Sequence, residues 1–310
     1  MNWHSEEITE LVQRALREDI GSGDATTAAT LIPGAFASAS ILARQTLVCA
    51  GLPIAELVFR TLDPTIRVDS LHSDGSFVEP GAQLMRIAGN AQVILSGERT
   101  ALNFLAHLCG IATLTKRFVE QLADTRTRIR DTRKTMPGLR GLEKYAVKTG
   151  GGTNHRFGLY DAILLKENHI ALAGGVKEAL DKAHAYTSTK APPPRTASAY
   201  DAAGLDPEVV WPGPLPVQVE VRNEQELREA LGARAESVLL DNMTVEAAKR
   251  CVEIARSLRR HCVVEISGGI TLENARAYAQ TGADFLSSGA LTHSAPAANL
   301  SLLVESIGQK

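Results

Sequence analysis

The chain has 310 residues, which is enough for one large domain or for two ordinary domains with a substantial core. Its 33 basic and 35 acidic side chains leave a formal net charge of −2, and it has no basic tail and no basic stripe with interleaved aromatics, so its composition argues against nucleic-acid binding. No apolar run approaches the roughly 20 residues that a bilayer-spanning helix needs, which argues against a membrane protein.

The N-terminal third mixes helix and strand patterns. An acidic amphipathic helix, which does not resemble a signal peptide, is predicted over about residues 5–18, and short strands are predicted over 39–50 and 82–88. Ser96 is expected to cap a helix that runs to about Leu108. That start places Arg99 in the first turn, where the helix dipole disfavours a cation unless an anionic partner is near. We predict a small α+β domain.

From about residue 128 the pattern changes to alternating strands and helices. Short apolar runs predict strands at 163–165, 217–221, 238–240, 263–266 and 285–286, and amphipathic helices are predicted at 224–231, 245–258 and 272–280. Asn223, Thr244 and Thr271 carry the helix-start signals. This alternation predicts a parallel sheet covered by helices, either closed into a barrel or doubly wound.

Polar residues stand at the ends of these predicted strands. The set consists of Lys166, Glu220, Asp241 and Ser267, and Gly289 follows the last predicted strand. Because the carboxyl ends of barrel strands meet at one rim, where barrel active sites are built, this placement favours the barrel. A proline-rich stretch at 187–216 interrupts the pattern between a helix and a strand, and in a barrel such a loop lies opposite the active site. We therefore predict that it does not contact substrate.

Residues 131–170 concentrate positive charge among glycines and turn residues. Seven Lys and Arg side chains against four carboxylates give the segment a net charge of +3. A solvated basic face is one explanation, and a site for a multiply anionic small molecule is the other. Lys166 closes an apolar run and the triple glycine at 150–152 precedes His155 and Arg156, and both features favour the anion site.

Several side chains leave more than one chemical interpretation open. Glu220 and Asp241 lie in apolar strands, so each needs a partner: a salt bridge to Lys166 or Lys134, a magnesium ion, or ribose hydroxyls. His155 either donates a hydrogen bond to an anionic ligand or is satisfied by the backbone of its turn. Lys166 at a strand end could also form a Schiff base, which keeps an aldolase as an alternative.

Two glycine turns are candidate phosphate sites. Ser267-Gly268-Gly269 and Ser288-Gly289-Ala290 each offer backbone N–H groups where a predicted strand gives way to a helix. A glycine turn between strand and helix also occurs for steric reasons alone. The adjacent strand ends strengthen the pair, because the last strands of phosphate-binding barrels often build such a site.

The motifs EDIGSGDATT, SGERTALNFLAHLCGIAT, DTRKTMPGLRGLEKYAVKTGGGTNHRFGLYDAILLKENHI, VQVEV, VLLDNM, EISGGIT and FLSSGALTHS occur in this order. Together they resemble the quinolinate phosphoribosyltransferases of NAD biosynthesis. The resemblance implies an N-terminal α+β domain (1–117, with about 291–310 packing back on it) and an incomplete (β/α) barrel (118–290) with an insertion at 187–216. It implies a homodimer or a higher assembly of dimers. It also implies conversion of quinolinate and phosphoribosyl pyrophosphate, with Mg²⁺, into nicotinate mononucleotide, pyrophosphate and CO₂.

The resemblance also assigns roles to residues. Lys134, Glu220 and Asp241 are the expected catalytic residues, and the two carboxylates are expected to address ribose and Mg²⁺, directly or through the substrate. The remaining expected substrate contacts are Thr132, Arg133, His155, Arg156, Lys166, Ser267, Gly268, Gly269, Ser288, Gly289 and Ala290, with Arg99 reaching in from a neighbouring subunit. A relative that uses another aromatic acid and a non-catalytic phosphate sensor are the competing hypotheses.

Overall fold

The computed structural model describes residues 1–189 and 215–309. The chain divides into two compact units, Met1–Leu114 with Ala295–Lys310 and Thr115–Ser294. Most of the proline-rich stretch, residues 190–214, lies outside the described residues, so its predicted position opposite the active site stays a prediction. Within the described ranges, no helix is both long and apolar enough to cross a membrane.

The elements of the chain up to residue 121 combine helices of different lengths with antiparallel strands. They are α1 (Glu6–Ile20), α2 (Ala25–Thr30), β1 (Ala35–Ala43), β2 (Leu47–Val48), α3 (Leu52–Leu62), β3 (Arg67–Ser70), β4 (Phe77–Val78), β5 (Gln83–Asn90) and α4 (Ala91–Gln121). Alternate residues of β1 are buried, as expected for a strand with one face on the core.

The later elements follow the predicted alternation of strand and helix. They are β6 (Arg128–Arg130), α5 (Arg140–Thr149), β7 (Ile163–Leu165), α6 (Glu167–Ala173), α7 (Val176–Thr189), β8 (Val217–Val221), α8 (Glu224–Gly232), β9 (Ser237–Asp241), α9 (Val245–Leu258), β10 (Val263–Ser267), α10 (Leu272–Ala279), β11 (Phe285–Ser287), α11 (Ala290–His293) and β12 (Leu300–Gln309).

The first unit contains a four-stranded sheet in the order β12-β1-β5-β3, and all its pairings are antiparallel. The C-terminal strand β12 is therefore part of the N-terminal unit. Helix α4 starts at Ala91 and not at Ser96, so the predicted cap is wrong. Asn90 accepts the N–H of Gln92 through its side chain, and the Ser96 hydroxyl donates to Asp24 instead. Arg99 consequently lies in the third turn, where the helix-dipole argument does not apply.

The second unit is built on a parallel sheet of six strands in the order β6-β11-β10-β9-β8-β7. Beyond the β6 edge, Arg130 forms one further parallel bridge with Thr153. Asn223 and Thr244 cap α8 and α9, and Thr271 forms a capping box at α10, as predicted. A parallel sheet with helices between its strands, together with the α+β N-terminal unit, confirms the predicted incomplete α/β barrel fold.

All four cysteines are buried and none forms a disulfide. Burial raises the pKa of the Cys49 and Cys109 thiols to about 12 and that of Cys262 to about 11. Burial also raises the pKa of Cys251.

Candidate active site

Polar residues from four neighbouring strands form one row at the C-terminal edge of the six-stranded sheet. In the strand register Asp241 pairs with Ser267, Ser267 with Ser287, and Ser287 with Arg130. Register-paired residues of parallel strands project to the same face, so these side chains line one edge of the sheet. The structure therefore brings the predicted strand-end residues Asp241 and Ser267 together.

Lys166 and Glu220 lie at the β7 and β8 positions of the same edge and form an ion pair. Leu165 pairs with Val219, so the next residues, Lys166 and Glu220, are neighbours. Lys166 Nζ lies 2.5 Å from Glu220 Oε2, with the lysine side chain 48% exposed and the glutamate 14%. The salt bridge considered as a partner for Glu220 is thus present.

Asp241 lies near Glu220 on the adjacent strand. Glu220 pairs with Leu239, so Asp241 is two residues further along and projects to the same face. Asp241 is half-buried, and its Oδ2 accepts a hydrogen bond from the Asn242 amide at 2.9 Å. The two carboxylates therefore occupy adjoining strand ends.

The chain around Arg133 and the chain around Arg156 lie close together although 23 positions separate the two residues, because the Arg140 guanidinium reaches both Arg133 O and Phe157 O. Burial, and next the charge of Arg133, lowers the pKa of the Arg156 guanidinium. Arg156 Nη1 donates to Ala162 O at 3.0 Å, whereas the buried Arg133 Nε has no hydrogen-bond partner among the described residues. Two cationic side chains from neighbouring segments, with an orphaned buried donor, are chemically suited to an anion, because an anion would satisfy both the charge and the donor.

Lys134 is exposed within the loop after β6, and two threonines hold its backbone. Its N–H donates to Thr132 Oγ1 at 3.0 Å, and its carbonyl accepts from Thr292 Oγ1 at 2.8 Å. A Cβ at Gly289 would lie 2.9 Å from Lys134 Cδ. Glycine at 289 therefore leaves the space through which the lysine side chain passes.

The two glycine turns are joined by hydrogen bonds. Ser288 donates its hydroxyl to Ile270 O at 2.8 Å and its N–H to Arg130 O at 3.0 Å. Gly268 has a φ of 94°, and a Cβ there would lie 2.1 Å from Asn242 Oδ1, so only glycine fits. Ser267 and Gly269 complete the turn before α10, and Gly269 is exposed. Ala290 begins α11, directly after the second turn.

The His155 ring is held by protein atoms on both sides. Nδ1 accepts the N–H of Arg156 at 2.7 Å, and Nε2 lies 3.2 Å from Gln218 Oε1 and 3.6 Å from Glu265 Oε1. With Nδ1 as an acceptor, Nε2 is the ring nitrogen that can donate, and it faces Gln218 and Glu265. The expected hydrogen bond from His155 to an anionic ligand stays a prediction.

Glu265 is a polar residue that the sequence reasoning missed. It is fully buried in β10, where its Oε2 accepts from Arg130 Nη1 and from Gln218 Nε2, both at 3.1 Å. Arg130 stacks on Phe285, with the guanidinium carbon 3.3 Å from the ring centroid. Burial opposes the charge of Glu265, but the charges of His155 and Arg130 and hydrogen bonds from Gln218 and Ser287 together outweigh it and lower the pKa of the carboxyl. A lone carboxylate in the apolar run VVEIS is the signal that would have found it, and it is the signal that identified Glu220.

Arg99 belongs to α4 of the first unit, and its side chain is exposed. Its expected role across a subunit boundary stays a prediction.

Models of the two domains of one protein family match most of the chain. The N-terminal domain of quinolinate phosphoribosyl transferase matches residues 24–109, and the C-terminal domain matches residues 111–192 and 206–303. The chain belongs to the quinolinate phosphoribosyl transferase family. The family resemblance inferred from the sequence motifs is therefore confirmed.

Individual members of this family are similar over nearly their whole length. The nicotinate-nucleotide pyrophosphorylase [carboxylating] of Mycobacterium leprae is 40% identical over 290 residues, which cover 91% of this chain and 92% of that protein. A probable enzyme of the same name from Synechocystis is 37% identical over 293 residues, covering 94% and 91%. The solved nicotinate-nucleotide pyrophosphorylase of Francisella tularensis is 38% identical and superimposes with a TM-score of 0.84, covering 97% of this chain and 96% of that chain.

Proposed function

We propose that this protein transfers the phosphoribosyl group of phosphoribosyl pyrophosphate to quinolinate and yields nicotinate mononucleotide, pyrophosphate and CO₂ for NAD biosynthesis. The observation that carries the proposal is that Arg140 links the backbone at Arg133 to the backbone at Phe157, next to Arg156, while the buried Arg133 Nε is left for a ligand. Family membership and the strand-end carboxylates Glu220 and Asp241 support the same reaction.

Quinolinate carries two adjacent carboxylates, and this part of the site can pair with both. Arg133 and Arg156 present planar guanidinium groups, which bind carboxylates through two hydrogen bonds each. Lys166 adds a third cation beside Glu220. His155 contributes by fixing the Arg156 backbone N–H and, as a prediction from the resemblance, by direct contact with the substrate. Several cations offset the cost of stripping water from a dianion, whereas a single carboxylate would need fewer.

The sugar phosphate would bind at the two glycine turns. The backbone N–H groups of Ser267, Gly268 and Gly269 precede α10, whose N-terminal dipole favours a phosphate. Ser288, Gly289 and Ala290 form the neighbouring turn, and Lys134 passes over Gly289. Lys134 therefore stands between the two substrate regions and can contact both.

In the transfer step the ring nitrogen of quinolinate attacks C1 of the ribose while the bond from C1 to the pyrophosphate oxygen breaks. Positive charge develops on the sugar, and the carboxylates of Glu220 and Asp241 can stabilise it electrostatically. The partial neutralisation of Glu220 by Lys166 would be relieved once quinolinate draws the lysine to itself. The protein acts mainly by holding two anionic substrates in line.

Decarboxylation follows from the chemistry of the product ring. N-ribosylation makes the ring a cationic pyridinium. When the carboxylate next to the ring nitrogen departs as CO₂, its electron pair stays on the ring carbon, where the positive nitrogen stabilises it. That carbon then takes up a proton. This step requires no side-chain nucleophile.

Magnesium fits the carboxylate pair, provided that the substrate supplies further ligands. The described ranges 1–189 and 215–309 contain no group of three or more His, Cys, Asp or Glu side chains that could hold a metal ion. Mg²⁺ usually keeps several waters and binds through one or two carboxylates plus substrate phosphates. Glu220 and Asp241 would supply that protein share. Mg²⁺ would neutralise charge on the departing pyrophosphate.

A homodimer or a higher assembly of dimers, with Arg99 completing the site of a neighbouring subunit, is part of the proposal, as is a cytoplasmic location. The exposed position of Arg99 on α4 is compatible with a contact outside its own chain.

Arg99→Ala and Lys134→Ala proteins should each lose orders of magnitude in turnover. Mixing the two should then restore part of the activity, because some sites combine two intact halves. No recovery despite proven subunit exchange would count against the shared site.

The direct test mixes purified protein with quinolinate, phosphoribosyl pyrophosphate and Mg²⁺ at neutral pH and measures nicotinate mononucleotide and CO₂. Formation of both in equal amounts is expected. Parallel reactions with nicotinate, a monocarboxylate, test the relative that uses another aromatic acid. Turnover of nicotinate in preference to quinolinate, or tight ligand binding with no product, would overturn the proposal.

A further inference from the structure

Two cations of α5, Arg140 and Lys144, had no role in the sequence interpretation, and the structure places both against backbone. Lys144 is completely buried and donates from Nζ to Asp131 Oδ1 at 2.6 Å and to His155 O at 3.0 Å. Asp131 Oδ1 also accepts the N–H of His155 at 2.8 Å. The Asn154 amide nitrogen, in its hydrogen-bonded orientation, donates to Asp131 Oδ2 at 2.8 Å. One buried ion pair therefore fixes the backbone at 154–155.

Arg140 makes the same kind of connection one helical turn earlier. Its Nε donates to Thr135 Oγ1 at 3.0 Å and its Nη1 to Phe157 O at 3.1 Å, while Nη2 lies 3.5 Å from Arg133 O. The first and third of these acceptors belong to the loop after β6, and the second belongs to the segment after the triple glycine. The guanidinium thus spans two stretches of chain that are distant in sequence.

These two stretches carry the cations of the candidate site. The segment 131–135 presents Arg133 and Lys134, and the segment 154–157 presents His155 and Arg156. Among the described residues, regular pairing near these segments is limited to the bridge of Arg130 with Thr153, in which Asp131 N donates to Thr153 O and Thr153 N donates to Ile129 O. Beyond that point neither segment has a regular partner strand, so side chains must set their separation.

We propose that Arg140 and Lys144, called here the α5 clamp, are positioning residues that set the distance between Arg133 and Arg156 and so match the site to two adjacent carboxylates. The inference rests on the proposed function, because it assigns the clamp to the quinolinate half of that site. The clamp uses its charges on carbonyls, a hydroxyl and one buried carboxylate, which leaves Arg133 and Arg156 to bind the substrate.

Two substitutions separate positioning from a long-range charge effect. Arg140→Lys keeps the charge but cannot reach both segments, because an ammonium lacks the planar fork of three nitrogens. Arg140→Gln removes the charge as well. If geometry is what matters, both variants should raise the KM for quinolinate about 10- to 100-fold, while the KM for phosphoribosyl pyrophosphate stays within about twofold. A purely electrostatic role predicts that Arg140→Lys behaves as wild type.

The matched control is Arg228→Gln, which removes a half-exposed cation of the same unit that pairs with Glu224 on the surface of α8. It should leave both KM values unchanged. A second, substrate-free measurement is amide hydrogen exchange of peptides covering 131–135 and 154–157. These peptides should exchange faster in both Arg140 variants and at the wild-type rate in Arg228→Gln.

The two measurements keep the inference and the proposed function distinguishable. Absence of quinolinate turnover in the wild type would refute the function and leave the exchange result to decide the clamp. Unchanged exchange in both segments, or an equal loss of kcat/KM for the two substrates in Arg140→Lys, would overturn the clamp even in an active enzyme.

Discussion

Replacing Lys144 by methionine removes one member of a buried ion pair and should strongly destabilise the second unit. Lys144 and Asp131 both have fully buried side chains, and 2.6 Å separates the ammonium from the carboxylate oxygen. Methionine fills a similar volume, so little cavity forms, but the Asp131 charge stays buried without its partner. Breaking such a pair costs about 3–5 kcal/mol of unfolding free energy. In a unit of this size that loss lowers Tm by about 6–20 °C.

The double variant Lys144→Met/Asp131→Asn isolates the charge from the packing. Asparagine keeps an acceptor for the His155 N–H while it removes the uncompensated charge. The double variant should therefore recover about 2–3 kcal/mol relative to Lys144→Met alone, since mainly the lost hydrogen bonds remain. Urea unfolding followed by circular dichroism measures the wild type, Lys144→Met, Asp131→Asn and the double variant, with Arg228→Met as a control worth about 0.3–0.5 kcal/mol. A loss below about 1 kcal/mol in Lys144→Met, or simple additivity in the double variant, would refute this reasoning.

Three further predictions concern the rim and the sheet interior. Gly268→Ala should lower the free energy of unfolding by about 1–3 kcal/mol and raise the KM for phosphoribosyl pyrophosphate, because the new Cβ meets the Asn242 amide oxygen. Gly269→Ala should have a milder effect, because no atom lies within 4 Å of its Cβ position. Equal effects of the two substitutions would contradict the steric argument. Glu265 has a lowered pKa, so its charge stabilises the fold above the ordinary value of 4.5 and this contribution is lost as pH falls below it. Glu265→Gln should flatten that part of the acid-stability profile in urea titrations, and an unchanged slope would disprove it. Glu220→Gln should lower kcat about 10- to 100-fold with little change in Tm, because its lysine partner is half-exposed; near-normal turnover would remove Glu220 from the proposed chemistry.

The parallel sheet and its rim were predictable because local signals and the fold agree there. Apolar runs placed the strands β8 to β11, and Asn223, Thr244 and Thr271 marked helix starts that the structure confirms. Side chains alternate between the two faces of a strand, and parallel strands end at the same edge of the sheet. These two rules are enough to predict that polar residues at the strand ends lie together at that edge. The positions of Glu220 and Asp241 followed from these rules alone.

The rest depended on contacts that sequence spacing does not encode. Ser96 is a strong helix-start residue, but its hydroxyl bonds to Asp24, which lies 72 positions away. Helix α5 was missed because basic residues and glycines around it are typical of a loop. Its buried lysine becomes favourable only through the distant Asp131, and no local pattern shows that the charge is compensated.

The buried thiols also decide how this protein can be labelled. Thiol reagents attack the thiolate, and all four native cysteines are buried with raised pKa values, so they react slowly at neutral pH. A single cysteine introduced at an exposed position such as Arg228 would therefore outcompete them. A fluorophore or a spin label could be attached there while every native cysteine stays in place. Spectroscopic measurements would then not require replacement of the core cysteines.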